Sequence, residues 1–76
     1  MFSNLTKNLI ELERDKVLTE VEEHLSQGEN TMKVFDECRQ GMEIIGERYK
    51  NKEYLLAELL LAGDLFREVM ELTDHI

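Results

Sequence analysis

The stretch GERYKNKEYLLAELLLAGDLF, residues 46–66, sets a charged segment against a run of leucines. The charged part spans residues 47–53, and the six apolar residues that follow it are interrupted only by Glu58. A surface helix of a small bundle needs a single apolar stripe. This helix is instead apolar on nearly every side of its first turns, so the excess apolar surface needs an explanation of its own.

The rest of the sequence is typical of one small helical domain. Its 76 residues include four glycines, no proline and a single cysteine, so helix is favoured and an internal disulfide is excluded. Seventeen acidic and nine basic residues give a net charge of -8, which argues against nucleic acid and anionic membranes as partners. The chain shows neither a membrane-spanning apolar run nor a signal-peptide pattern, so we expect a soluble cytoplasmic protein.

Hydrophobic periodicity predicts four helices, at about residues 3–13, 15–27, 31–51 and 54–73. Ser3 or Asn4 is expected to cap the first helix and Asp15 the second, and Gly28 is expected to close the second. The break near Arg14 is the least marked, because arginine is a good helix former and the first two helices could run on as one. The short connections predict an all-α, antiparallel four-helix bundle.

Each of the two long helices has a predicted core stripe. In the third helix the stripe is Thr31, Phe35, Cys38, Met42, Ile45 and Tyr49. In the fourth helix it is Leu55, Leu59, Ala62, Phe66 and Val69. Gly46 and Gly63 lie beside these stripes, where glycine permits close approach of another helix or of a flat ligand.

Three leucines of the fourth helix fall outside its core stripe. On a helical wheel Leu56 lies at the edge of the stripe, and Leu60 and Leu61 lie roughly 100° to either side of it. Single exposed apolar residues are ordinary, whereas clustered ones often mark a partner surface or a ligand site. The pattern leaves both interpretations open.

Catalytic constellations are absent from the sequence. His24 and His75 have no nucleophile or metal ligand at a useful spacing, and Cys38 falls on an apolar stripe, where a buried structural thiol is expected. We therefore expect a chain that is not catalytic alone.

Residues 41–70 resemble the helical cap module of corrinoid (cobalamin-binding) methyltransferase proteins, of the kind found in methionine synthase. Their sequence is GMEIIGERYKNKEYLLAELLLAGDLFREVM. The positions that carry the resemblance are Gly41-Met42, Ile45-Gly46, Tyr49, Leu56-Ala57-Glu58-Leu59 and Ala62-Gly63. The resemblance implies a single cap domain, residues 1–76, that shields the methyl-bearing upper face of a cobalamin. It also implies that the cofactor contacts fall on Tyr49, Leu56 and Leu59.

The sequence departs from the family pattern in several places. Leu55 stands where phenylalanine is frequent, and Arg14 and Lys52 stand where glycine is frequent before the second and fourth helices. The α/β domain that holds the cobalamin, with its histidine motif, is absent from this chain. The resemblance therefore implies that this chain alone binds no cobalamin, and that its partners are a separate α/β domain and a cognate methyltransferase.

Two other functions are compatible with the sequence. The first is a self-associating helical bundle without a ligand, in which the exposed leucines of the fourth helix form a homodimer contact. The second is the cap module of a corrinoid-dependent regulator, although the acidic composition and the lack of a DNA-binding segment count against it.

Overall fold

The computed structural model describes residues 2–74, which form four helices: α1 (Asn4–Ile10), α2 (Arg14–Ser26), α3 (Thr31–Lys50) and α4 (Leu56–Asp74). These described residues contain no strand. The predicted all-α four-helix bundle is thus confirmed, while the antiparallel order of consecutive helices stays a prediction.

One hydrophobic core joins the four helices. Its buried members are Leu5, Leu9, Val17, Val21, Val34, Cys38, Ile45, Ala62, Leu65 and Val69. Full burial of an aliphatic side chain is worth about 1.5–3 kcal/mol relative to leaving it exposed. Packing of this core is therefore the main source of stability for a chain that has no disulfide.

Helices α1 and α3 run in the same direction, because successive contacts advance together along both. The Thr6 hydroxyl donates to the carbonyl oxygen of Glu37 over 2.8 Å. Further on, Arg48 comes within 3.8 Å of Glu11, just beyond the end of α1. The carboxyl ends of α1 and α3 consequently meet at one end of the bundle, which is also where α4 begins.

A glycine permits the close crossing of α1 and α3, although not one of the two glycines expected to do so. A Cβ on Gly41 would stand 2.9 Å from Leu9 Cδ2, so a larger residue would force Leu9 to move. A Cβ on Gly46 or Gly63 would meet no atom within 4 Å. The prediction that these two glycines serve close helix packing is therefore wrong within this chain.

The first three helices end in the same way, with a left-handed residue two positions after the last helical one. These residues are Leu12, Gly28 and Lys52, whose φ angles are 59°, 77° and 65°. In each case two amides turn back to carbonyls of the last turn, as when Gly28 N donates to Leu25 O and Glu29 N to His24 O. This is the Schellman arrangement, and it confirms the prediction that Gly28 closes the second helix.

The break between α1 and α2 differs in detail from the prediction. Its left-handed residue is Leu12, so glycine would suit position 12, whereas Arg14 is the first residue of α2. The residue before α2 is Glu13, and Asp15 lies inside the first turn, so Asp15 as the cap is wrong. Its negative charge there still favours the helix through the macrodipole. Ser3 caps α1 as predicted, accepting from Thr6 N at 3.1 Å.

Helix α4 begins later than predicted, and its buried face is the predicted one shifted toward Leu65, since Ala62 and Val69 are buried and Leu59 and Phe66 pack against the core. Leu55 precedes the helix and is 70% exposed, so its predicted place in the core stripe is wrong. The buried residues of α4 are Ala62, Leu65, Val69 and Thr73. The helix packs against both α2 and α3, and an ion pair between Arg14 and Glu68 joins it to α2. Leu60 then lies roughly opposite that buried face.

Candidate functional site

The α3–α4 corner, residues 51–55, has a predicted site residue on each side of it. Tyr49 lies in the last turn of α3 and is 41% exposed, while Leu56 opens α4 and is 56% exposed. Leu55 lies between them and is exposed as well. Three large apolar side chains therefore face solvent around one corner, and the prediction that Tyr49 ends the α3 core stripe is wrong.

Leu59, the third predicted site residue, lies in the first turn of α4. It is partly buried and packs against the hydrophobic core. Tyr49 and Leu56 thus adjoin one corner, whereas Leu59 offers a ligand less free surface than Leu56 does.

The other exposed leucines of α4 lie on two separate surfaces. Leu60 follows Leu56 by four residues, so the two form one stripe that extends away from the corner. Leu61 lies on the other flank of the helix, beside Leu12 and Leu65. The prediction that Leu60 and Leu61 lie outside the core is confirmed, since both are more than half exposed.

Local sequence preferences do not favour the α3–α4 corner. Lys52 adopts the left-handed conformation, which costs roughly 1–2 kcal/mol in a residue other than glycine. Leu55 occupies the N-cap position, since its carbonyl oxygen accepts from Leu59 N at 3.2 Å, but its side chain has no capping oxygen. Glu58 supplies half of a capping box, because its Oε1 accepts from Leu55 N at 2.6 Å.

Tyr54, which is predicted from the sequence to begin the fourth helix, holds the corner to the rest of the bundle. The Tyr54 hydroxyl donates to the carbonyl oxygen of Ile10 over 2.6 Å and accepts from Arg48 Nη1 at 3.0 Å. The Arg48 guanidinium also lies 5.3 Å from the centre of the Tyr54 ring, a cation–π contact. The sequence signal for this role was only an aromatic residue directly after a charged run.

The candidate reactive side chains that the structure describes, Cys38 and His24, lie away from this corner. Burial, together with the nearby charge of Glu37, raises the pKa of the Cys38 thiol to about 12, so Cys38 stays protonated and unreactive at neutral pH. His24 contacts Glu29 at the opposite end of α3, and His75 lies outside the described residues. Residues 2–74 contain no cluster of three or more His, Cys, Asp or Glu side chains able to hold a metal ion.

No helix within residues 2–74 combines the length and the apolar character needed to cross a membrane.

Comparison with protein families identifies one match. The family described as the B12 binding domain matches residues 1–73 of this chain. Neither the curated proteins nor the solved structures provide a match.

Proposed function

We propose that this chain, which belongs to the B12 binding domain family, is a helical cap that covers the upper, methyl-bearing face of a cobalamin held by a separate α/β domain. The observation that carries the proposal is the group of exposed large apolar side chains around the α3–α4 corner. Tyr49 and Leu56 adjoin it on either side, and both are exposed. The exposed Leu55 at a helix N-cap adds to the argument, because departures from local sequence preference concentrate at functional sites.

The residues of this corner fit the upper face of a corrinoid. When bound, the corrinoid would carry the methyl group that is transferred. Leu55 and Leu56 present only hydrocarbon, and the Tyr49 ring presents an apolar face, so the corner can exclude water and competing ligands from the methyl group. In this proposal the corner has a covering role and contributes no acid or base to the reaction.

The cap must move aside when the methyl group is transferred. Its four helices share one core, so we expect the bundle to swing as a unit while Tyr49 and Leu56 keep their places on it. The methyl donor or acceptor would be chosen by a separate methyltransferase, which together with the α/β domain forms the proposed methyl-transfer system. A soluble, cytoplasmic location is part of this proposal.

The test uses the protection of methylcobalamin from light. The chain is added to methylcobalamin bound to a corrinoid-binding α/β domain from which the cap has been removed, and photolysis is followed by the visible spectrum. We expect the chain to slow photolysis, because a closed cap holds the methyl radical near the cobalt and favours recombination. Tyr49→Ala and Leu56→Ala should each reduce that protection.

Leu61→Ala is the matched control. It shortens a leucine of the same helix with similar exposure, 52% against 56% for Leu56, on a flank away from the corner. Protection by this variant should equal that of the unaltered chain. If the unaltered chain gives no protection, or if Leu61→Ala and Leu56→Ala weaken protection equally, the proposed cap surface is wrong.

A second candidate, self-association, is favoured by the exposure of Leu60 and Leu61 outside the corner. Two copies of the chain could bury one of these leucines in an isologous contact. Sedimentation of the chain over a range of concentrations tests this idea. A monomer at the highest concentration would exclude it, and a dimer abolished by Leu60→Glu would support it.

A further inference from the structure

We propose that Tyr54 is a positioning residue, which holds the α3–α4 corner against the end of α1 and so presents Tyr49 and Leu56 in the orientation needed for capping. The proposal rests on the function proposed above, since orientation matters only if the corner covers a ligand. Tyr54 itself is partly buried and has its hydroxyl committed to two protein partners.

The first partner of Tyr54 is a helix-terminal carbonyl group. Because α1 ends at Ile10, the carbonyl oxygen of this residue has no amide of a further helical turn to bind. Ile10 is also 5% exposed, so an unpaired carbonyl here would carry a desolvation penalty. The Tyr54 hydroxyl supplies the donor over 2.6 Å, which fixes the phenol ring relative to α1.

The second partner, Arg48, connects the phenol to α3. Its Nη1 donates to the Tyr54 oxygen, and its guanidinium lies over the ring. The backbone strengthens this connection, because Tyr54 N donates to Arg48 O at 3.1 Å. Arg48 directly precedes Tyr49, and Tyr54 stands two residues before Leu56, so this pair is adjacent to both exposed site residues.

Long-range contacts stabilise this corner, two of whose residues disfavour its local conformation. The left-handed Lys52 and the N-cap Leu55 both weaken the local preference for this turn. The Tyr54–Ile10 bond joins residues that are 44 positions apart in the chain, so it exists only in the folded bundle. Removal of its hydroxyl should therefore loosen the corner while the helices remain formed.

The test compares two variants of the full chain that each lose one hydroxyl. Tyr54→Phe keeps the ring but loses the hydroxyl's bonds to Ile10 and Arg48. Thr6→Val, the matched control, loses another hydroxyl that donates to a backbone carbonyl, that of Glu37. The first measurement is amide hydrogen exchange at Leu59, in the first turn of α4, relative to exchange at Ile45 in the middle of α3.

We expect Tyr54→Phe to raise the Leu59-to-Ile45 exchange ratio about tenfold, because both hydrogen bonds of the hydroxyl, to Ile10 and to Arg48, are lost at the corner. Thr6→Val should leave the ratio unchanged, because it weakens the whole bundle. The second measurement is methylcobalamin photolysis, in which Tyr54→Phe should lose protection although Tyr49 and Leu56 are intact. Arg48→Leu, which keeps the bond to Ile10, should change both measurements in the same direction by less.

The outcomes separate this proposal from the one on which it rests. An unchanged exchange ratio in Tyr54→Phe would overturn the anchoring role. A raised ratio with full photolysis protection would overturn the positioning role, because the corner would cover the ligand without the bond. If the unaltered chain itself gives no protection, the capping function is wrong and positioning for it fails too, while the exchange ratio still decides whether Tyr54 anchors the corner.

Discussion

The corners at the two ends of α3 share a left-handed residue followed by a helix N-cap, but they use different residue types at these positions. The α2–α3 corner, residues 27–30, uses Gly28 at its left-handed position and Asn30 as the N-cap, whose Oδ1 accepts from Met32 N at 2.8 Å. The α3–α4 corner uses Lys52 at its left-handed position and Leu55 as the N-cap. The first corner follows the preferences of glycine and asparagine, and the second contradicts the corresponding preferences.

The two corners differ in how much their own residues contribute to stability and in how much apolar surface they expose. The α2–α3 corner is stabilised locally, by Gly28 at its left-handed position and by the Asn30 N-cap. The α3–α4 corner gives up local stability, exposes Leu55 and Leu56, and depends on the contacts of Tyr54 with α1. Such a departure from local preference is expected where a surface serves a partner or a ligand.

The largest expected effect comes from giving the α3–α4 corner the residue types of the α2–α3 corner. The double substitution Lys52→Gly with Leu55→Asn should raise the free energy of unfolding by about 2 kcal/mol, from the relieved left-handed lysine and a completed N-cap. Urea denaturation followed by circular dichroism measures this gain. The same variant should protect methylcobalamin less, because it removes an exposed leucine.

A stability gain without loss of protection would show that Leu55 serves no ligand. No gain in stability would show that the two corners do not differ in local strain, and the comparison would fail.

The reverse change tests the α2–α3 corner. Gly28→Ala should lower the free energy of unfolding by about 1–2 kcal/mol, because alanine resists the left-handed conformation. An added Cβ would meet no atom within 4 Å, so this backbone conformation is the source of the cost and a clash is not. Gly63→Ala is the matched control, since that site is equally open but helical. It should raise stability by about 0.8–1 kcal/mol. Losses of equal size at both positions, measured by urea denaturation, would contradict this account.

Cys38, in the middle of α3, belongs to neither corner and allows a test of core burial for comparison with the corner variants. Burial raises the pKa of the Cys38 thiol from the usual 9.0 to about 12. Below pH 9 the thiol is protonated in both the folded and unfolded chains, and its contribution to stability is constant. Above that pH only the unfolded chain loses the proton, so stability should fall by about 1.4 kcal/mol between pH 8 and pH 10.

Urea denaturation at several pH values measures this slope. Cys38→Ala should have a shallower slope over the same range, even though the variant is less stable at every pH. Identical slopes for the two chains would show that the thiol ionises as readily in the folded protein as in the unfolded one.

The smallest effect is expected from the cap of α3. Asn30→Ala removes the side-chain oxygen that accepts from Met32 N and should cost about 1 kcal/mol of unfolding free energy. Asn51→Ala, at the carboxyl end of the same helix, is the control and should cost less, because that asparagine follows the last turn. Thermal unfolding followed by circular dichroism compares the two. Equal costs would remove the capping role assigned to Asn30.

Local signals account for what could be predicted from the sequence. The number of helices, the cap at Ser3 and the glycine at position 28 were predictable, because each depends on residues within a few positions of one another. Exposure of Leu60 and Leu61 was predictable from the wheel. The buried face of α4 was predictable only in part. Ala62 and Val69 are buried as predicted, whereas Leu55 is exposed and the buried Leu65 was missed, since leucine on nearly every side of the first turns gives weak contrast between faces.

Long-range contacts account for the errors. A glycine within a helix permits close approach but does not say from where, so Gly41 could not be distinguished from Gly46 or Gly63. In the same way, nothing near Tyr54 in the chain points to Ile10 as the partner of its hydroxyl.

The sequence by itself determined that this chain is a four-helix bundle with an apolar surplus at the start of its last helix, because periodicity and helix-end residues act locally. Only the tertiary structure decided where that surplus faces and what holds it there. Packing of α4 against α2 and α3 left Leu56 and Leu60 outside. The end of α1 then provided the carbonyl group that anchors Tyr54, a contact that exists only once distant segments have been brought together.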